Sequence, residues 1–281
     1  QAAHTLNLAH GKAVQVFRQG AHRGKIGIVL DLHGMVPASE EEKDVLACRR
    51  TKENAQGIFF DPIFHGRYPS YLMEWLGALA PEVATGDLSL IHQPLDFLGL
   101  NYYFTQEVGE AVDEGVFQAA RKVSNPDAWN HQDKSPGGLL NSRLKMLSVS
   151  GAGETALGWG IYPPGLSGVL KEVASATGNL PIYITENGCA THDVPDEVGF
   201  VEDHARIDYL QRHLTEVHSA IRDGVDVRGY FVWSLMDNFE WSLGYRPRFG
   251  MVRVDYATFR RTPKLSAQWY REVIHRNGLV D

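Results

Sequence analysis

Within "PIYITENGCA", residues 181–190, one glutamate, Glu186, stands where a run of strand-forming residues meets Asn187-Gly188. A carboxylate at that point can be a nucleophile, because parallel barrels carry their reactive groups at the C-terminal ends of their strands. It can equally be a solvated charge opening a loop, and position alone leaves both readings standing. The Asn-Gly pair suits a sharp turn, since both residues tolerate positive φ. As the nucleophile of a retaining sugar reaction, Glu186 calls for a second carboxyl that gives and takes a proton.

A second candidate stretch is "WSLMDNFEWSLGYRPRFG", residues 233–250. Here Trp233, Phe239, Trp241, Tyr245 and Phe249 alternate with Asp237, Asn238, Glu240, Arg246 and Arg248. A sugar offers apolar C–H faces and equatorial hydroxyls, so its site needs aromatic platforms beside polar donors and acceptors. The plainer reading is an aromatic core cluster with incidental surface charge. In "LGLNYY" the residues Asn101, Tyr102 and Tyr103 close another strand-like run. A phenol beside Glu186 would donate a hydrogen bond that favours the ionised carboxylate; otherwise one tyrosine is core and one is surface.

"LDLHG" places Asp31 and His33 at a further strand end, with no Glu-x-x-His or His-x-x-x-His pair nearby, so no metal site is expected. The twelve histidines are dispersed. Absence of Gly-x-Gly-x-x-Gly, Walker and Gly-x-Ser-x-Gly sequences counts against nucleotide binding and serine hydrolysis. No cofactor is expected.

These residues need a scaffold. Four segments read as strands covered on both faces: 25–32, 95–103, 180–187 and 227–235. Helical patterns lie between and around them. "QAAHTLNLAHGKAVQVFRQ" opens the chain as a helix, and Ser39 with Glu42 reads as a capping box before the next. Residues 70–79 and 165–177 are helical, and 202–224 carry Ile207, Leu210, Leu214, Val217 and Ile221 at a period near 3.6. Residues 263–278 close the chain, with Gly278 as C-cap. Strand alternating with helix predicts a parallel α/β sheet. The strand starts lie roughly 70, 85 and 47 residues apart, so four strands occupy a length in which a (β/α)₈ barrel places eight over ~250 residues. The connection 104–160, dense in Gly, Pro, Asn, Asp and Ser, reads as a functional loop.

Composition sets the outer bounds. The 281 residues are 43% hydrophobic and 22% charged, an ordinary globular balance, with a formal charge of −7. The acids are scattered and no basic face is evident, so nucleic-acid binding is not expected. No apolar run reaches the ~20 residues of a membrane span. Cys48 and Cys189 are too isolated for a disulfide framework or zinc ribbon; they fit a reducing, cytoplasmic setting without fixing one. Residue 1 is Gln and the chain opens directly on a helix, which suggests that an earlier segment precedes it.

Taken together, the motifs resemble family 1 glycoside hydrolases, the retaining β-glucosidase family. "YITENG" is similar to that family's nucleophile signature and "WSLMDNFEWSLGYRPRFG" to its sugar-binding signature. "AHGKAVQVFR", "PIFHGRYP", "DFLGLNYY", "GWGIYPPGL", "HARIDYLQRHL" and "RTPKLSAQWY" extend the resemblance over almost the whole chain. It implies that Glu186 attacks the anomeric carbon, that Tyr103 orients it, and that Glu240, assisted by Trp241, grips hydroxyls of the non-reducing sugar. Trp233 would be the sugar platform, Phe249 a pocket wall, Asn101 a further substrate contact and Trp159 the stacking residue on the leaving-group side. Glu240-Trp241, and the lack of a lysine in 242–250, imply an unphosphorylated β-glycoside or oligosaccharide.

The departures matter as much. The family's acid/base glutamate lies in an Asn-Glu-Pro motif upstream of the "AHGKAV" helix, and no Asn-Glu-Pro occurs in the 281 residues. The sugar-binding Gln and His-Trp of the first and third strands are absent too, and Asp31-Leu32-His33-Gly34 differs from the usual Asn-rich, aromatic version. The resemblance therefore implies one domain, residues 1–281, covering the fifth to eighth β/α units of a (β/α)₈ TIM barrel. Such a half-barrel is expected to leave two sheet edges open, to be covered by an N-terminal half or a second copy.

Overall fold

The computed structural model describes residues 1–20, 22–111 and 142–279. All four expected strands are present, somewhat shortened: β1 (Gly27–Asp31), β3 (Phe97–Asn101), β6 (Ile182–Asn187) and β7 (Val227–Val232). They form one parallel sheet in the order β1-β3-β6-β7, with β1 and β7 at its edges. Alternation along each strand divides the faces. Leu98, Leu100, Ile182 and Ile184 are fully buried against Leu166, Leu170 and Val173 of helix α6 (Pro164–Thr177) and Val217 and Ala220 of helix α7 (His204–Arg222). The other face carries Val29 and Phe231, 48% and 57% exposed, so the strands are covered by helices on one face and not on both as their apolar runs suggested. Gly99 and Gly229 lie between larger side chains there: a Cβ would strike Val29 and Thr185 from Gly99, and Tyr183 from Gly229.

The remaining helices are α1 (Ala2–Gln19), α2 (Glu42–Lys52), α3 (Ile58–His65), α4 (Ser70–Leu76), α5 (Asp87–Ile91) and α8 (Leu265–Arg276). Three details differ from expectation. Ser39 does not cap α2: its hydroxyl donates to Asp44 at 2.6 Å and accepts from the Glu41 N–H, and the helix begins after Glu41. From Lys52 the chain runs through a π-helical turn, Glu53–Gly57, into α3. At the C-terminus Asn277, not Gly278, takes the left-handed cap (φ 47°), a conformation Asn tolerates.

The 104–160 connection contains structure of its own. β4 (Thr105–Glu110) and β5 (Ser142–Met146) pair with β2 (Gly34–Pro37) in a small mixed sheet of order β2-β4-β5. The middle of that connection, 112–141, lies outside the described residues. A hairpin of β8 (Val252–Val254) and β9 (Arg261–Pro263) leads into α8. Among the described residues no helix is long and apolar enough to cross a membrane.

Candidate active site

Parallel strands in register bring their ends to one level. Asp31 pairs with Asn101 across β1 and β3, and Asn101 with Glu186 across β3 and β6. Just past the end of β3, the Tyr103 hydroxyl donates to Glu186 Oε2 at 2.6 Å. Burial, reinforced by the charges of Glu186 and Glu240, pushes the Tyr103 phenol far above its ordinary range, so it stays a donor. Tyr103, Phe104, Trp159 and Phe249 form an aromatic wall: Trp159 is 5.6 Å from Tyr103, 5.4 Å from Phe104 and 6.1 Å from Phe249, centroid to centroid. Phe249 is buried.

Beyond β7 the chain turns through a cis Trp233–Ser234 peptide. The indole N–H of Trp233 donates to Glu240 Oε1 at 3.2 Å, and Asn238 Nδ2 donates to the same oxygen at 2.6 Å. Asn101 turns its Oδ1 to the Thr185 hydroxyl at 2.7 Å. The structure therefore gathers Glu186, Tyr103, Trp159 and Phe249 in one network and ties Trp233 to Glu240. Trp241 stands apart, 83% exposed at φ 46°.

Around this group two further titratable residues are perturbed. Asp31, exposed at the end of β1 yet hemmed in by surrounding protein, is raised to about 6, first by the partial loss of solvation and then by the negative charge of Glu186. His33, packed on Phe104 at 4.7 Å, is pushed down to about 4 by burial. Among the described residues, no group of three or more His, Cys, Asp or Glu is placed to hold a metal.

The turn after Glu186 works differently from the sequence expectation. Asn187 ends β6, fully buried, and its side chain bonds three neighbours. Gly188 is not a positive-φ residue; a Cβ on it would lie 1.8 Å from the Trp233 carbonyl oxygen, so glycine is required for close approach.

Asp237 and Arg248, read from sequence as sugar-facing polar residues, belong instead to a buried ion network. Asp237 accepts from Arg248 (2.9 Å), Lys264 (3.0 Å) and the Gly250 and Val254 amides (3.0 and 3.2 Å). Lys264 also pairs with Asp193, and Arg206 pairs with Asp203 and donates to the Thr191 hydroxyl (2.6 Å) and the Arg248 carbonyl (2.5 Å). Asp203 in turn accepts from the Ser266 amide and hydroxyl at 2.8 and 2.6 Å. Three carboxylates thus face three cations, and the segment carrying Glu240 and Phe249 is pinned at both ends. Sequence gave no sign of this, because isolated charges separated by tens of residues carry no local pattern.

The class is a parallel α/β sheet that carries, at its strand ends, a carboxylate hydrogen-bonded by a phenol and flanked by aromatic walls. The glycosyl hydrolase family 1 model matches residues 1–279, and the chain belongs to that family. It is 41% identical over 282 aligned positions to "Beta-glucosidase A" of Thermotoga maritima, covering 100% of this chain and 57% of that protein. Among solved structures it resembles a psychrophilic beta-glucosidase from Micrococcus antarcticus (38% identity, TM-score 0.85, covering 99% of this chain and 58% of that one). It also resembles the T. maritima beta-glucosidase in complex with deoxynojirimycin (39% identity, TM-score 0.83, covering 99% and 57%). These neighbours are TIM-barrel enzymes, and this chain spans somewhat over half their length.

Proposed function

We propose that the chain is the part of a retaining β-glucosidase that holds the nucleophile and the sugar-binding residues, folded as one domain over 1–281 and corresponding to the fifth to eighth units of the barrel. The observation that carries this reading is the 2.6 Å hydrogen bond from Tyr103 to Glu186 at the strand ends. Glu186 attacks the anomeric carbon as the bond to the leaving oxygen breaks, giving a covalent glycosyl-enzyme ester; water then displaces Glu186 and restores the carboxylate. Tyr103 orients the attacking oxygen. Glu240, backed by Asn238 and Trp233 and assisted by Trp241, accepts from sugar hydroxyls, while Trp233 is the platform for the sugar's apolar face and Phe249 a wall of the pocket. Asn101 adds a polar contact, and Trp159 stacks on the leaving group. The substrate is a small unphosphorylated β-glycoside or oligosaccharide, and the steps need no cofactor.

The leaving oxygen needs a proton, and the carboxyl that supplies it in the family belongs to a motif absent from these 281 residues. General acid catalysis contributes roughly 10²–10⁴-fold, so the isolated chain is expected to hydrolyse ordinary glucosides barely or not at all. An N-terminal half covering the β1 and β7 edges would complete the enzyme; a second copy would cover the same edges without bringing the acid. The missing motif also supports a second reading: a carbohydrate-binding or assembly-dependent remnant that kept the pocket and lost its acid. A 2-deoxy-2-fluoro-β-glucoside with a dinitrophenolate leaving group separates the two, since that leaving group departs without a proton. Mass spectrometry should find the fluorosugar esterified to Glu186. A chain that binds glucosides yet takes no label favours the remnant, and rapid cellobiose hydrolysis by the purified chain, abolished by Glu186→Gln, would contradict the missing-acid account.

A further inference from the structure

The regular ladder fails where the chemistry needs it most. Pairing between β3 and β6 shifts register at Leu100/Asn101, and pairing between β6 and β7 shifts between Ile184 and Asn187. Side chains take over there. Asn187 Nδ2 donates to the Tyr102 carbonyl at 2.7 Å and to the Tyr209 hydroxyl at 3.1 Å, and its Oδ1 accepts from the Tyr230 hydroxyl at 2.5 Å. The Tyr209 hydroxyl then donates to the carbonyl of Tyr103 at 3.3 Å. One hydroxyl, reaching from α7, thus joins the residue that follows Glu186 to the backbone of the residue whose phenol holds Glu186.

We infer that Tyr209 is a positioning residue for the Tyr103–Glu186 pair, an inference that rests on the reading of Glu186 as nucleophile. Tyr209 is fully buried and its ring lies on His213, 4.0 Å between centroids and 27° from parallel. That stack fixes where the hydroxyl sits, and burial keeps the phenol protonated and His213 neutral, at about 4. A buried hydroxyl wedged between two strand ends resists their separation, because parting them strands an amide and a carbonyl without partners. Tyr230, donating to the same Asn187 from β7, holds the third strand to this point.

The test uses the whole chain and Tyr209→Phe, which keeps the ring and its stack. Two readouts are followed: the downfield hydroxyl proton of Tyr103, assigned by its displacement in Glu186→Gln, and the labelling of Glu186 by the fluoroglucoside. Tyr270→Phe is the control, since it removes a hydroxyl that donates to the Tyr230 carbonyl at 3.1 Å and bonds neither Asn187 nor Tyr103. Tyr209→Phe should move or broaden the Tyr103 resonance and slow the labelling rate constant by about fivefold to tenfold, the effect of one or two hydrogen bonds. The half-saturating concentration should hold within about twofold, because the hub touches no sugar. Tyr230→Phe should act in the same direction and Tyr270→Phe should leave both readouts unchanged. A Tyr209→Phe chain that melts earlier but keeps the Tyr103 resonance overturns the proposal. A wild-type chain that takes no label refutes the nucleophile reading, and the Tyr103 resonance then decides the role of Tyr209.

Discussion

Replacing Lys264 with Met tests whether the buried ion network, rather than the aromatic cluster, sets the stability of the segment 233–250. Lys264 is fully buried between Asp193 and Asp237, and burial together with the charge of Arg206 lowers its pKa. Methionine fills much of the same volume, so the change removes charge more than packing. Two buried carboxylates lose a cation. Breaking a buried pair by removing one partner costs about 3–5 kcal/mol. The lower end applies here because both carboxylates keep other partners. Asp237 retains Arg248 at 2.9 Å and two backbone amides; Asp193 retains the Thr191 hydroxyl at 2.6 Å and Arg206 at 3.6 Å. A loss of about 3 kcal/mol corresponds to a fall in Tm of roughly 6–12 °C for a domain of this size. Denaturant unfolding of both proteins, with slopes compared, measures it. Adding Asp193→Asn to Lys264→Met should recover part of the loss by removing the carboxylate left unpaired. A loss below about 1 kcal/mol, the range of an exposed pair, or strict additivity in the double variant, would refute the reasoning.

Three further outcomes are expected. Tyr103→Phe should slow fluoroglucoside labelling of Glu186 by roughly 10–100-fold, since a hydrogen bond to a charged group contributes about 1.5–3 kcal/mol; an unchanged rate would remove Tyr103 from the site. Carboxyl NMR should show Asp31 titrating near 6, and Glu186→Gln should lower that midpoint only partly, because the loss of solvation is the larger cause. As the folded value lies above the ordinary one, Asp31 favours the folded chain below about 3.8, and that contribution is lost as pH rises to about 6; unfolding curves across that window check the sign. Gly188→Ala should cost about 2 kcal/mol, the cost of overpacking, and displace Trp233, seen as a change in its fluorescence.

The four parallel strands were legible because each is a short apolar run with one face pressed against helices. Glu186 drew notice for a related reason: it breaks such a run at the end where a parallel sheet presents its chemistry, although position alone left a nucleophile and a solvated charge equally open and the resemblance chose between them. Strand position offered a phenol from Tyr102 or Tyr103 as its partner, the family resemblance singled out Tyr103, and the hydrogen bond from Tyr103 is there. What escaped was long-range. Periodicity along 202–224 marked Ile221 as core, yet Ile221 is 45% exposed while Arg206, Tyr209 and His213 are fully buried. Their polar atoms are satisfied by groups far along the chain, which no local pattern records. Asp237 and Arg248 misled for the same reason: adjacency to aromatic residues suggested sugar binding, whereas their partners are Lys264 and the Val254 backbone. The register breaks that make Asn187 a hub are likewise set by strand geometry rather than residue type.

Every partner in the ion network lies between Thr191 and Ser266, so its bonds close without crossing either open edge of the sheet. On the proposed reading, building the 233–250 segment and completing the enzyme are then separable events. A piece that docks along β1 and β7 would, on that reading, leave this interior pairing intact. Such a chain suits complementation: supplied with a separately made half carrying the acid, it should gain turnover at a rate set by encounter, without refolding.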